Sequence, residues 1–481
     1  MKAIIIGSTK HLAFALFYSL IGTSIALLAM AVWFLNARPD LSIWHTSDLT
    51  GEYQATSDLN SFDEYLKLED KLFAELDNKV YQKLLEPESF DILNRYVKGS
   101  YSDPAHWQQD WNRSFEWPKA DADFGVLLLH GMSDSPYAMS HFAQHFQGQA
   151  HVLGLRLPGH GTIPSALTSV HWQDMAAAVS LATKDLQQKL GDKPLYVVGY
   201  STGAALALNH ELERLADNKK ADYSAMVLLS PAIGLTPVAA GAKWQAMLGH
   251  ALGLDKLSWN SIQSEYDPFK YGSFAVNAGD VVYQLSLHNL GLIKGLGKQK
   301  LAGLAPILTF QSLTDDTVDT AAVIKELYLK LPAASHELVL FDINRTKVNM
   351  SLMLNDPLAP YLGLMDQGEF DFTFTLVENI ADDRREVQAR TLNNNQQQPL
   401  NLHWPKQVYS LSHVALPFPK SDPLYGPIGD KTKPHIQIGI GASKGERGVI
   451  TVPASEMMRQ KWNPFYPYML NKMDAIVTSQ L

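Results

Sequence analysis

The chain has no cysteine, which excludes disulfide staples and thiolate metal sites and leaves both oxidising and reducing compartments open. It also lacks an excess of positive charge: 40 lysines and arginines stand against 49 aspartates and glutamates, a net charge of −9. Binding a phosphate backbone needs the opposite sign, so nucleic acid is not an expected partner. Internal repeats are missing too, as are metal and nucleotide motifs. His141-Phe142-Ala143-Gln144-His145 sets two histidines one helical turn apart without the glutamate of a zinc-protease helix. Gly439-Ile440-Gly441-Ala442-Ser443-Lys444 lacks the spacing of a P-loop or a dinucleotide turn. Both read as structural, and no cofactor or metal is expected.

There is one long apolar run. From Leu12 to Leu35 no charged side chain occurs, and a helix of that length, rising about 1.5 Å per residue, crosses a hydrocarbon core. Lys2 and Lys10 precede the run, while Arg38 beside Asp40 follows it. This bias predicts a single-pass helix in a bacterial inner membrane, with the short amino end inside and the body periplasmic. Ala29-Met30-Ala31 keeps signal cleavage open as the alternative. Residues 1–38 are therefore read as a membrane anchor, 39–118 as an amphipathic helical extension and 119–481 as the body. With 481 residues and 46% apolar content, the chain is long enough for one sizeable core with additions.

Between Leu59 and Leu85, Phe62, Tyr65, Leu66, Leu72, Phe73, Leu76, Val80 and Leu84 recur at helical spacing. Such a stripe predicts a helix packed against the body. Trp107, Trp111 and Trp117 then precede the first clear strand and are expected to cover an edge of the core.

The most informative segment is Gly199-Tyr200-Ser201-Thr202-Gly203, entered from the apolar run Pro194 to Val198 and left through the small-residue run Ala204 to Leu208. A serine on such a strand-to-helix turn projects its hydroxyl from the sheet edge, and glycine on either side lets the backbones pass. About seventy residues upstream, a second strand ends in Leu128-Leu129-His130-Gly131-Met132. Together with Leu155-Arg156-Leu157-Pro158-Gly159-His160-Gly161-Thr162 and Leu228-Leu229-Ser230-Pro231, these segments resemble the serine hydrolases of the α/β-hydrolase superfamily. The resemblance is to the branch of monoacylglycerol lipases, lysophospholipases and bacterial carboxylesterases.

That resemblance implies an α/β fold with a mostly parallel central sheet and a nucleophile, acid and histidine in that chain order. Ser201 is the implied nucleophile. The acid should follow the strand Pro306 to Phe310, and the family spacing, three residues after Ser312 and three before Val318, implies Asp315 over Asp316. Asp319 reads as a cap for the next helix. His336, His403 and His413 all follow the acid. His336 and His403 stand at or before the starts of strands predicted over Glu337 to Phe341 and Lys406 to Leu411. His413 follows the second of these, at the carboxyl end where a parallel sheet carries its site, and is therefore favoured. The resemblance further implies an oxyanion hole from the backbone N–H groups of Met132 and Thr202. It also implies a cap over about residues 232–303, rich in Trp244, Met247, Leu248, Leu252, Leu254 and Trp259.

An insertion over about residues 344–404 separates acid from histidine. Phe370, Phe372, Phe374 and Leu376 alternate with polar residues, and Val387, Ala389 and Thr391 follow across the turn Asp382 to Glu386, predicting a β-hairpin. Asn393 to Gln398 reads as a solvated loop. The implied activity is hydrolysis of hydrophobic carboxylic esters, with a lipid or ester as small-molecule partner. An acyltransferase or serine peptidase using the same triad, and a non-catalytic membrane-anchored binding protein, remain open. So does the oligomeric state.

Overall fold

The computed structural model describes residues 2–85, 88–235, 254–351, 353–366, 369–406, 408–427, 436, 438 and 459–480. Among the described residues twelve strands are formed: β1 (Phe115–Trp117), β2 (Gly125–Leu129), β3 (His151–Leu155), β4 (Leu195–Tyr200), β5 (Ala225–Leu229), β6 (Trp259–Ser261), β7 (Phe274–Ala275), β8 (Ile307–Ser312), β9 (Glu337–Phe341), β10 (Thr373–Asn379), β11 (Glu386–Thr391) and β12 (Gln396–His403). Ten of them make one sheet in the order β1-β3-β2-β4-β5-β8-β9-β10-β11-β12. From β3 to β10 every pair is parallel, while β1 and the β10-β11-β12 meander are antiparallel. β6 and β7 form a separate two-stranded ribbon.

The apolar runs are buried on both faces, as a parallel sheet covered by helices requires. Leu127, Leu129, Val197, Met226, Leu228, Leu338 and Leu340 belong to one core, under helices α5 (Trp172–Leu190), α6 (Thr202–Ala216) and α7 (Val276–Leu301). Their neighbours Val126, Leu128, Val198, Val227, Val339 and Phe341 belong to the other, with α4 (Ser140–Phe146) and α8 (Tyr466–Gln480). This is the period-two alternation of a strand, with both faces apolar.

The amino-terminal segments behave differently. α1 (Lys2–Asn36) contains a 24-residue stretch, His11–Phe34, that is long and apolar enough to cross a membrane and whose residues are all exposed. After the short α2 (Ile43–Thr46), α3 (Phe62–Lys79) opens on Ser61, whose hydroxyl accepts the Glu64 N–H at 3.3 Å. It buries Phe62, Tyr65, Glu69, Leu72 and Leu76. Glu69 breaks the apolar stripe because it meets Arg156, which is fully buried and bridges Glu69 and Glu52 at 2.8 Å each. Tyr65 Oη donates to the Arg156 carbonyl at 2.7 Å. The extension thus supplies both carboxylates for the loop that follows β3.

Three expectations need correction. No strand spans Lys406 to Leu411; the described residues there run as irregular chain, and His413 opens a 3-10 turn, His413–Ala415. The outer edge of β9 is already paired with β10, so a strand here has no ladder to join. Asn393 to Gln398 is not wholly a loop, since Gln396 begins β12, and His403 ends that strand instead of preceding one. The hairpin β10-β11 forms, but it prolongs the central sheet and gains β12 as a third strand. Trp244, Met247, Leu248 and Leu252 of the expected cap, and the glycine run at 439–444, lie outside the described residues.

Candidate active site

The sheet reverses its direction of growth at β2: the chain moves outward to β3 and then returns to β4 on the other side. Carboxyl ends of strands at such a switch point form the crevice where ligands bind. Ser201 lies there, on the turn between β4 and α6, with φ 52° and ψ −111°. Ser133 and Ser230, after β2 and β5, also have positive φ, at 65° and 40°. Non-glycine residues held this way cost about 1–3 kcal/mol each and persist only where the surroundings impose them. The surroundings here are tight: a Cβ on Gly203 would lie 2.4 Å from the Leu129 carbonyl oxygen, and one on Gly199 would lie 2.6 Å from Ala204 Cα. The Ser201 N–H donates to the Leu229 carbonyl at 2.8 Å, tying the turn to β5.

Asp315 follows β8, and its side chain is fully buried. Oδ1 accepts the N–H groups of Thr317 (2.9 Å) and Val318 (3.0 Å), and Oδ2 lies 2.8 Å from His413 Nδ1. Gln311 Nε2 donates to Oδ2 at 3.2 Å. Burial works against ionisation of Asp315, but His413 and the Val318 and Thr317 N–H groups outweigh it and hold the carboxyl down at about 2. Asp316 has a different setting, exposed and paired with Arg459 at 2.7 Å. Asp319 accepts the Ala321 N–H and caps the following helix. His336 accepts the Ile307 N–H through Nδ1, and burial lowers its pKa to about 4. His141 and His145 contact Asp422 and Asp474 separately.

Met132 and Thr202 join Ser201 and His413 in the wall of one cavity of about 710 Å³. Thr202 begins α6, where the first N–H groups of a helix have no intrahelical acceptor. Met132 stands on the turn after β2. That turn is braced by His130, buried and held neutral by desolvation, whose Nδ1–H donates to the Gly131 carbonyl (2.8 Å) while Nε2 accepts the Leu157 N–H (3.0 Å). Leu235, Phe274, Val276 and Val282 make part of the wall apolar, and Lys270, Arg459 and Lys461 bring cations to it. Sequence reasoning had not connected these cations, or Gln311, with the site. Gln311 carries a local signal, since it stands four residues before Asp315 next to the strand end. Arg459 is more than 140 residues away in sequence and carries none.

Residues 126–342 match the model of the alpha/beta hydrolase family. Among solved structures, similarity extends to the metagenome-derived lipolytic enzymes LipS and LipT (19% identity, 48% of this chain and 87% of the other, TM-score 0.37). It extends also to the monoacylglycerol lipase of Paleococcus ferrophilus (15%, 48% and 88%, TM-score 0.36). A soluble variant of the monoglyceride lipase of Saccharomyces cerevisiae is similar too (15%, 48% and 82%, TM-score 0.36). No curated protein sequence matches the chain. The parallel strands in this order, the serine turn after β4 and the family match over residues 126–342 give the body of this chain the α/β-hydrolase fold.

Proposed function

We propose that the protein is a membrane-anchored serine hydrolase that cleaves hydrophobic carboxylic esters through an acyl-enzyme on Ser201. The observation that carries this reading is the 2.8 Å pairing of His413 Nδ1 with buried Asp315, beside Ser201 in the same cavity. With its Nδ1–H donated to Asp315, the imidazole presents the Nε2 lone pair as base. Nε2 takes the hydroxyl proton as Ser201 Oγ attacks the ester carbonyl carbon. The resulting oxyanion is met by the N–H groups of Met132 and Thr202, of which each typically contributes about 3–4 kcal/mol in such sites. Collapse expels the alcohol, protonated by His413, and leaves the acyl-serine. Water, deprotonated by His413, then releases the acid and restores Ser201.

The apolar wall at Leu235, Phe274, Val276 and Val282 supports an acyl substrate such as a monoacylglycerol, a lysophospholipid or a short acyl ester. The length and apolarity of His11–Phe34 support an uncleaved anchor. The lysines before it support a body outside the cytoplasmic membrane of a bacterium. Hydrolysis of acyl esters across a chain-length series tests the substrate class. Graded preference is expected, because one methylene in an apolar pocket discriminates by only about 1–3 kcal/mol. Ready peptide cleavage with no ester hydrolysis at any length would replace this reading by the peptidase one.

A further inference from the structure

The anchor does not end in open solvent. Two residues beyond α1, the Arg38 guanidinium donates to three backbone carbonyls: Nη1 to Lys256 (2.5 Å), and Nη2 to Trp259 (2.6 Å) and Asn260 (3.1 Å). Lys256 answers with Nζ on the Arg38 carbonyl (3.2 Å) and on the Asp40 carboxylate (2.8 Å). The chain then stays on the same ribbon. His45 Nε2 lies 2.8 Å from Ser273 Oγ, and its ring stands edge-on to Trp259 with centroids 4.9 Å apart. Residues 38–45 are therefore stitched along β6 and β7.

The same ribbon walls the cavity. Asn260, Ser261, Gln263 and Phe274 line it, and Asn260 is also exposed to solvent, which puts it at the mouth. Two residues of chain reach about 7 Å at most, so Arg38 cannot leave the end of α1. The 24 residues of His11–Phe34 make a helix about 36 Å long, against a hydrocarbon core about 30 Å thick. The carboxyl end of the span therefore reaches headgroup level, where a guanidinium on an aliphatic stem is well accommodated.

We infer that the cavity mouth at Asn260 opens at the headgroup layer of the membrane that holds α1, that Arg38 is the positioning residue that keeps it there, and that the ester enters from the bilayer instead of bulk water. This rests on the anchored ester-hydrolase reading above. A lipid ester loses favourable burial for every methylene drawn into water, and a mouth at the headgroups leaves its tail among lipids until the cavity receives it.

The absence of cysteine makes single-site labelling clean. Asn260→Cys and Lys220→Cys, each carrying an environment-sensitive fluorophore, are reconstituted as full chains in phosphatidylcholine vesicles containing a headgroup-nitroxide lipid. Lys220 is exposed in the connection to β5, at the amino ends of the strands and away from the mouth. Quenching is expected to be several-fold stronger at 260 than at 220, and to fall when Arg38→Gln is added. Equal quenching at both positions, or no response to Arg38→Gln, overturns the inference.

With native residues elsewhere, Arg38→Gln should lower turnover of a vesicle-embedded ester several-fold while turnover of a short soluble ester holds. Equal loss on both, with a lowered unfolding temperature, makes Arg38 a general structural residue and overturns its positioning role. Flotation separates the underlying readings. A chain that does not float with the vesicles contradicts the anchor, and the inference falls with it. A chain that floats and quenches as expected but cleaves no ester supports the headgroup-level mouth and contradicts only the ester-hydrolase reading.

Discussion

The turn at Ser201 is marked by glycines within two residues of it, whereas the segment that carries His413 is held by residues distant in sequence. The serine turn is set by Gly199, Gly203 and the start of α6; Gly203 packs against the Leu129 carbonyl at the end of β2, the Ser201 N–H donates to the Leu229 carbonyl of β5, and the Ala232 N–H donates to the Ser201 carbonyl. The segment before His413 belongs to no strand. Asn344 donates its N–H to the Tyr409 carbonyl (2.7 Å) and its Nδ2 to the Val408 carbonyl (2.9 Å). Ser312 Oγ donates to the Leu411 carbonyl at 2.6 Å, Ser412 Oγ to the Gln460 carbonyl, and Tyr200 Oη to the His413 carbonyl at 3.3 Å. Four separate parts of the fold thus hold the histidine segment, which has no counterpart to the two glycines that let the serine turn pass its neighbours. A locally determined turn leaves a motif in the sequence; a turn suspended between distant elements leaves none.

Substitution at the two centres gives the largest expected effects. Ser201→Ala should lower ester kcat by about a millionfold with unchanged unfolding, as loss of a triad nucleophile does; near-native kcat would remove the serine side of the comparison. His413→Ala should cost a similar factor, and full activity in it together with loss in His336→Ala would show that the suspended turn is not the one used. Asp315→Asn should lower kcat by about ten-thousandfold through the wrong tautomer.

A second group of tests concerns stability. Arg156→Ala strands the buried carboxylate of Glu69 and unpairs the half-buried one of Glu52, and should cost about 3–5 kcal/mol by denaturant unfolding. A cost near zero would mean that the extension contributes nothing to the β3 loop. Asp315 has its folded pKa depressed to about 2, so its ionised form stabilises the fold above the unfolded value and that contribution is lost as pH falls through about 2. Relative to Asp315→Asn, native protein should lose about 2 kcal/mol between pH 5 and pH 2. An acid limb of ester turnover above pH 4 would then belong to another group.

The smallest effect is expected from Tyr200→Phe, which deletes only the hydroxyl on the His413 carbonyl. About 1 kcal/mol of stability and a few-fold loss in kcat are expected. If kcat drops as far as in His413→Ala, the histidine turn depends on one hydrogen bond and the contrast of many distant ties with one local turn fails.

What was legible follows the same division. β2, β4, β5, β8 and β9 read as strands because short, mostly apolar runs between turns announce sheet buried on both faces. α3 read as a helix through its apolar stripe, while the Glu69 interruption gave no hint of its pairing with Arg156, since a lone carboxylate on a helix normally faces water. β12 was missed because six of its eight residues are exposed and its first three are glutamines, a composition shared with loops. The false strand before His413 came from Val408 and Leu411, apolar residues at plausible spacing. Leu411 is buried, but in a core formed with Trp404 and Phe465, not on a ladder. Apolar spacing reports that side chains are buried; whether a sheet edge is free to receive the backbone is decided elsewhere in the chain.

Fluorophosphonate labelling of the intact chain, followed by peptide mapping, tests the central claim most directly, because it needs no knowledge of the natural ester. A single adduct is predicted on Ser201, absent from Ser201→Ala and formed much more slowly in His413→Ala. An adduct on another residue, or undiminished labelling of folded Ser201→Ala, would contradict the account.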